Sequence, residues 1–364
     1  MAKFHSKGTA MTEFKPRKKV SEFLRLIAFF ARISIRVKEQ LKRLPVPSWV
    51  SHLAFAWLTL VIVSVLWPLV ELLDLMGNII LLGLGAVVAG TWFPVPLLVV
   101  MGKANMSSLD LIGIRLANAG LTDACLKNSD LTGADLTDAN LTNAELSDAF
   151  LTNVRMMNVN LTNAELNGSN MTNAKLADAN LQNANLTGAM LVETDLTNTV
   201  LLGAELPKAD LTKANLRWSN LQKAKLEKAD FTEAVLTYAS LRNANLRGAN
   251  LTGASLTGAD LAGVSLRGAK LTKADLQDAD LQHACLTSAD LTDVNLKSVT
   301  FKDTRVDKAD FRRAKVMDPS TGAARSISLE MLRECCWDKS DDANKPLLPE
   351  GIDPYDLADI PRGK

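Results

Sequence analysis

Residues 171–216 read MTNAKLADANLQNANLTGAMLVETDLTNTVLLGAELPKADLTKANL, with a large apolar residue at every fifth position. The same period runs from Met106 to Val316 without interruption, and Leu fills all but eight of its 43 positions. An amphipathic helix repeats every 3.6 residues and a strand every 2, so neither accounts for a period of five. A strict short period predicts a solenoid, in which each unit buries its apolar residue against neighbouring units.

The other positions of each five are nearly as regular. The residue two before the Leu is usually Ala, the one before it mostly Asp or Asn, and the one after it mostly Thr. This pattern, over residues 106–316, resembles the pentapeptide-repeat family. The resemblance implies an all-β solenoid, a right-handed quadrilateral β-helix with four fives per coil. Leu and Ala would point inward, and ten to eleven coils would give a rod roughly 50 Å long at about 4.8 Å per coil.

Two apolar stretches precede the repeats, at residues 49–70 and 79–100. Each is long enough to span a bilayer, and Trp49, Trp67 and Trp92 lie near their ends, where interfacial aromatic residues belong. Two buried core helices are the alternative, but a narrow β-helix offers no core to bury them. We therefore predict an α-helical two-span hairpin at residues 49–101, ahead of the repeat domain at 106–316.

The flanking charge predicts the orientation. Residues 1–48 form a basic segment, which the positive-inside rule places in the cytoplasm. Two spans return the chain to the same side, so the N-terminus, the repeat domain and the C-terminus are all expected to be cytoplasmic. The sequence fits an integral protein of a bacterial inner membrane or a thylakoid and does not separate the two.

Within the basic segment, residues 22–44 have the apolar spacing of an amphipathic helix. Its basic side suits an anionic membrane surface, although packing on the rod or on a partner is the alternative. The residues predicted to contact membrane lipid are Arg25, Arg32, Arg36, Lys38, Lys42 and Arg43.

The regularity decays at the other end, where residues 317–364 are expected to form a cap and a Pro-rich tail. Ser328 has the features of an N-cap for a short helix over residues 328–337. Met331, Leu332 and Trp337 are predicted to close the last coil.

No residue pattern indicates catalysis or a cofactor. The four cysteines, Cys125, Cys285, Cys335 and Cys336, lack the Cys-x-x-Cys spacing of a zinc or redox site. The three histidines are scattered, and nearly all Asp residues occupy the regular repeat position. We expect a non-enzyme without cofactor or metal.

Charge is unevenly divided along the repeats. Residues 106–200 contain eleven acidic and four basic residues, whereas residues 201–316 contain fourteen acidic and eighteen basic ones. Some pentapeptide-repeat proteins are acidic rods that mimic DNA for a topoisomerase, but that role needs a continuous negative field. Direct nucleic-acid binding is not expected either, because the whole chain carries a net charge of only +1.

One group of residues breaks the repeat pattern and predicts a partner surface. Trp218 and Tyr238 lie twenty residues apart, each two after a Leu, so they should stack on one outer face. Aromatic and basic residues are enriched at the energetic centres of interfaces. The candidate partner patch is Trp218, Tyr238, Arg217, Lys213, Lys223 and Lys225. An incidental pair on a mixed, solvated face is the alternative.

The function favoured by the sequence is a membrane-anchored scaffold or protein-interaction module with an unknown protein partner. Two alternatives are a DNA-mimicking topoisomerase-binding protein and an accessory factor in membrane transport or in envelope or thylakoid assembly. Homo-oligomerisation stays open.

Overall fold

The computed structural model describes residues 105–317, 324–326, 328, 332–340 and 342–359. The predicted amphipathic helix and both predicted membrane spans lie outside the described residues. Among the residues that are described, no helix has the length and apolarity needed to cross a membrane.

The repeat region is a solenoid with twenty residues per coil. Each residue that precedes a Leu forms a parallel bridge with the residue twenty positions later, from Asn105 with Cys125 up to Asn295 with Lys315. We call this the ladder position. Backbone hydrogen bonds join successive coils: the Leu121 N–H donates to the Asn140 carbonyl at 2.7 Å, and the Asn140 N–H donates to the Ala119 carbonyl at 2.8 Å.

Four fives complete one coil, so the rod has four sides. We name them by their ladder residues in one coil: side A contains Cys125, side B Asp130, side C Asp135 and side D Asn140. Each side ends in a corner, formed by the residue two after the Leu. The corner that follows side C is called corner C, and the others are named in the same way.

Every corner from residue 108 to residue 313 has a positive φ, between 53° and 69°. A hydrogen bond closes the turn, as where the Ala124 N–H donates to the Leu121 carbonyl at 3.1 Å. The left-handed backbone conformation costs an L residue energy, and Gly, Asn and Asp tolerate it best. This requirement explains why Asn, Asp and Gly recur at the fifth position of the repeat.

The core consists of two inward columns on each side. The Leu residues and the Ala residues two positions before them are almost fully buried. Where Ser or Thr replaces Ala, its hydroxyl donates to a backbone carbonyl: Ser219 Oγ bonds the Leu216 carbonyl at 2.7 Å, and Thr194 Oγ1 bonds the Met171 carbonyl at 2.8 Å. These buried hydroxyls are therefore satisfied, as an apolar interior requires.

The ladder Asp and Asn residues cap the turn that follows them. Asp230 Oδ1 accepts the Thr232 N–H at 2.9 Å and also the Thr232 hydroxyl, and many other units repeat the arrangement. The same kind of contact, from the Thr132 hydroxyl and its N–H, lowers the pKa of Asp130. The frequent Asp and Thr of the repeat thus have a structural role.

The C-terminal segment caps the rod by extending the ladder. The Val306 N–H donates to the Cys336 carbonyl at 2.9 Å, and the Phe311 N–H donates to the Leu347 carbonyl at 2.7 Å. Strand β1 (Lys315–Met317) pairs antiparallel with β2 (Ala324–Ser326), and β3 (Cys336–Trp337) pairs parallel with β4 (Ala358–Asp359). Two 3-10 helices, Asp342–Asn344 and Pro354–Asp356, lie between β3 and β4.

The predicted cap helix over residues 328–337 is wrong at its C-terminal end. Cys336 and Trp337 are a strand because the open edge of the last coil, at Arg305, offers backbone partners to them. The prediction that the last coil is closed here is confirmed for Leu332 and Trp337, since both are buried, whereas Met331, the third residue of that prediction, lies outside the described residues. The Trp337 indole N–H donates to the Pro354 carbonyl at 2.9 Å.

The buried Leu column should dominate the stability of the rod. Leu211→Ala removes a fully buried side chain from the middle of the solenoid, and we expect it to lower the free energy of unfolding by about 3 kcal/mol. Gln222→Ala, on the surface of the same coil, should change it by less than about 0.5 kcal/mol. Urea unfolding followed by far-UV circular dichroism measures both, and equal losses would refute the Leu-column model.

Candidate protein-interaction surface

Trp218 and Tyr238 form a stacked pair on corner C. Their ring centroids are 6.5 Å apart, the ring planes differ by 8°, and each side chain is 58% exposed. The predicted stacking is confirmed. It arises because the twenty-residue coil places the two residues at the same corner of successive coils, and the aromatic surface they share faces solvent.

Both aromatic residues have a positive φ, 57° at Trp218 and 58° at Tyr238. A left-handed conformation is unusual for a bulky residue and is unfavourable by roughly 1–2 kcal/mol. The pair is therefore placed at corners where Asn, Asp or Gly would cost less.

The strained corners form a continuous run. Seven successive corners contain neither Gly, Asn nor Asp, although all of them have a positive φ. This run covers nearly two coils, and corners with Asn or Gly precede and follow it. We call it the strained band; it consists of Lys208, Lys213, Trp218, Lys223, Lys228, Glu233 and Tyr238.

Gly258, one coil beyond Tyr238 on corner C, accommodates the tyrosine ring. A Cβ atom on Gly258 would lie 2.4 Å from Tyr238 Cε1 and 2.6 Å from Cδ1. The missing side chain therefore allows the ring to lean over the next coil. Sequence reasoning missed Gly258, although its place twenty residues after Tyr238 is the signal that could have found it.

Only some residues of the predicted patch lie close to the aromatic pair in the structure. Arg217 lies on side C next to Trp218, while Lys213 and Lys223 occupy the two neighbouring corners, B and D. Lys225 is on side A, beyond corner D, and is therefore separated from the aromatic pair. It forms an ion pair with Glu205, which raises the pKa of Lys225.

The basic groups around the pair differ in how they are paired. Lys213 Nζ lies 3.8 Å from a Glu233 carboxylate oxygen. Among the described residues, no carboxylate lies within ion-pairing distance of Arg217 or Lys223. Both side chains are exposed. The surface is thus an aromatic edge with two unpaired cations beside it.

The described part of the chain shows no site for a metal ion, since it contains no suitable group of three or more His, Cys, Asp or Glu side chains. The thiols of Cys335 and Cys336 are buried at the cap, and burial raises the pKa of each. A raised thiol pKa disfavours the reactive thiolate.

The twenty-residue coil, the inward Leu and Ala columns and the corner turns define a quadrilateral β-helix. The family model described as pentapeptide repeats matches in eight copies, and the chain belongs to this family, which builds right-handed quadrilateral β-helices. The matched residues are 101–138, 139–178, 179–217, 214–253, 249–287 and 274–313.

Solved structures show similar repeats. HetL, a pentapeptide repeat protein involved in heterocyst differentiation regulation in the cyanobacterium Nostoc sp. strain PCC 7120, is 32% identical, with 62% of this chain and 92% of HetL covered and a TM-score of 0.36. A pentapeptide repeat protein from the Arabidopsis thaliana thylakoid lumen is 28% identical over 29% of this chain and 79% of its own, with a TM-score of 0.23.

QnrB1, a plasmid-mediated fluoroquinolone resistance protein, is 19% identical over 56% of this chain and 91% of its own, with a TM-score of 0.28. Comparison with curated proteins gives no match.

Gly258 and Gly188 provide a matched test of the aromatic stack. Their φ values are +64° and +65°, but a Cβ at Gly188 would meet nothing within 4 Å. Alanine at either corner should cost about 1 kcal/mol of stability through the left-handed conformation. Gly258→Ala should cost about 1 kcal/mol more, because the Tyr238 ring must leave its stack. Thermal unfolding and near-UV circular dichroism measure this difference. Identical behaviour of the two variants would contradict the position of the Tyr238 ring over Gly258.

The strain in the band can be measured with glycine. Lys223→Gly relieves a left-handed corner, whereas Lys270→Gly places glycine at an exposed ladder position that does not have a positive φ. Glycine raises the entropy of the unfolded chain equally in both variants, so this contribution cancels in the comparison. We therefore expect Lys223→Gly to be more stable than Lys270→Gly by about 1 kcal/mol, because only Lys223→Gly relieves a left-handed corner. Urea unfolding of the two proteins gives the difference, and the opposite order would show that the corner is unstrained.

Proposed function

We propose that this pentapeptide-repeat protein is a non-enzymatic, membrane-anchored scaffold whose rod presents a protein-binding surface centred on Trp218 and Tyr238. The observation that carries the proposal is an exposed, stacked aromatic pair inside a continuous band of strained corners. Exposed aromatic residues beside Arg and Lys have the composition of interface centres.

The strained corners support this proposal energetically. Asn or Gly occupies most other corners and would relieve each strained one by roughly 1 kcal/mol. Backbone strain that persists at one place in a fold is typical of a functional site. Seven consecutive unfavourable choices are therefore better explained by selection for what these side chains bind than by selection for stability.

Charge argues against the first alternative, a DNA-mimicking topoisomerase-binding protein. The strained band lies in the half of the repeats where basic residues outnumber acidic ones, eighteen to fourteen. A phosphate-like surface requires a continuous negative potential, which such a composition interrupts. The expected result is no inhibition of topoisomerase supercoiling by the protein.

The membrane part of the proposal depends on residues 49–70 and 79–100, which lie outside the described residues. Their length and apolarity and the basic segment before them support an integral protein of a bacterial inner membrane or a thylakoid. Under this proposal the rod is cytoplasmic. An accessory role in transport or in envelope or thylakoid assembly would use the same anchoring.

Affinity purification from native membranes in mild detergent tests the partner surface. We expect the wild-type protein to retain a specific partner and Trp218→Ala/Tyr238→Ala to lose it, because truncation removes the stacked aromatic surface. The matched control is Asp138→Ala/Asn158→Ala, which removes a hydrogen-bonded pair at the same corner, four coils nearer the N-terminus. This control should keep the partner.

A photo-crosslinking residue in place of Arg217 should label the retained protein, whereas the same residue in place of Asn158 should not. The proposal fails if the aromatic double variant, with an unchanged far-UV spectrum, binds the same proteins as the wild type and the control.

A further inference from the structure

The stacked coils sort the charges of the repeats onto individual sides, and side A has the largest contrast. In the N-terminal half of side A, Glu145 and Glu165 stack in the ladder column. In the C-terminal half, Arg247 and Arg267 lie one coil apart, each two after a ladder residue of the same side. Side A therefore changes from mainly acidic to mainly basic along its length, although Lys127 lies in the acidic part and Glu227 lies one coil before Arg247 in the basic part.

The basic part of side A has uncompensated charge. Arg247 and Arg267 are exposed, and no carboxylate among the described residues lies within ion-pairing distance of either guanidinium. Lys228, at the adjoining corner, is likewise exposed and unpaired within the described residues. Glu165, in the acidic part, is exposed and accepts a hydrogen bond only from the neutral Asn185 amide, at 2.7 Å. Glu145, by contrast, is paired with Lys127 Nζ of its own chain at 2.8 Å, so Glu165 is the acid of this part that lacks a cationic partner among the described residues.

A second copy in the antiparallel direction would supply a cation to Glu165 and a carboxylate to Arg247. This arrangement has a two-fold axis that crosses side A at the coil of Glu205. Each ladder residue of one copy then lies opposite the ladder residue of the second copy that is the same number of coils from Glu205 in the other direction. Glu145 and Glu165 then face the coils of Arg267 and Arg247 of the second copy, and each acid lies diagonally across from one arginine. The two cysteines of side A, Cys125 and Cys285, are each four coils from Glu205, so they face one another as well.

We propose that two copies of this chain associate antiparallel through side A, with Glu165 of each copy paired to Arg247 of the other and with Glu145, which keeps Lys127 as its partner, opposite the coil of Arg267. Such an interface is self-complementary, as a two-fold dimer requires. The two glutamates and the two arginines have the same spacing along the rod, about 4.8 Å, because the members of each pair lie in successive coils.

The shape of side A permits this approach. Corner A has glycine at Gly168 and Gly248, which face each other about the same two-fold axis. At the centre, Glu205 would meet its own copy, but its ion pair with Lys225 compensates that charge. A side about 10 Å wide and 50 Å long buries roughly 1,000 Å² in total, near the lower limit for a specific interface. The dimer should therefore be weak and sensitive to salt.

A charge exchange tests the pairing. Full-length protein, in detergent where required, should show a monomer–dimer equilibrium in analytical ultracentrifugation at low salt and should be monomeric at about 1 M salt, where the screening length falls to about 3 Å. Arg247→Glu and Glu165→Arg should each weaken dimerisation about tenfold or more. The double variant Glu165→Arg/Arg247→Glu should regain most of the wild-type affinity, because the opposite charges again face each other.

Crosslinking tests the register independently. Cys125 and Cys285 are the only partly exposed cysteines among the described residues, and Cys335 and Cys336 are buried. A short bifunctional maleimide should join Cys125 of one copy to Cys285 of the other, as identified by mass spectrometry of the linked peptides. Cys125→Ser and Cys285→Ser should each abolish the link.

Three results would overturn the inference: a wild-type protein that is monomeric at low salt, a double charge variant no better than the single variants, or links between like cysteines. Trp218 and Tyr238 lie on corner C, away from side A. The aromatic double variant should therefore dimerise normally, which separates this inference from the proposed partner surface.

Discussion

The positive φ at every fifth residue is the constraint on which the rest of the structure depends. A chain that turns a corner after five residues must enter the left-handed region there, and all 42 corners do so. Because the turn recurs at a fixed interval, each Leu points into the rod and each coil stacks in register on the previous one. The buried Leu and Ala columns and the bonds between coils offset the cost of the corners.

The period of five, together with the family resemblance that implies four fives per coil, was sufficient to predict the inward residues and the stacking of Trp218 on Tyr238, because a fixed twenty-residue coil determines which residues are neighbours. It was insufficient for the patch as a whole. A step of five residues moves the chain to the next side, so Lys225, close to Trp218 in sequence, lies on side A. Proximity along a solenoid sequence therefore overestimates proximity on its surface.

The cap was harder to predict for a different reason. The local pattern at residues 328–337 contains helix signals, but the last coil exposes unpaired backbone groups that an isolated sequence pattern does not reveal. Strand pairing at Cys336 satisfies these backbone groups, and the hydrogen bonds to the last coil outweigh the local helix propensity. The strain of the band was similarly hidden, since nothing in Lys or Trp as a residue type indicates a left-handed backbone; only the structure shows the φ values.

The charge order along side A also limits how the rods can meet. Two parallel copies that met through side A in register would place Glu165 against Glu165 and Arg247 against Arg247, so like charges would repel. Antiparallel copies avoid this, and their first coils then lie at opposite ends of the pair, roughly 50 Å apart at about 4.8 Å per coil.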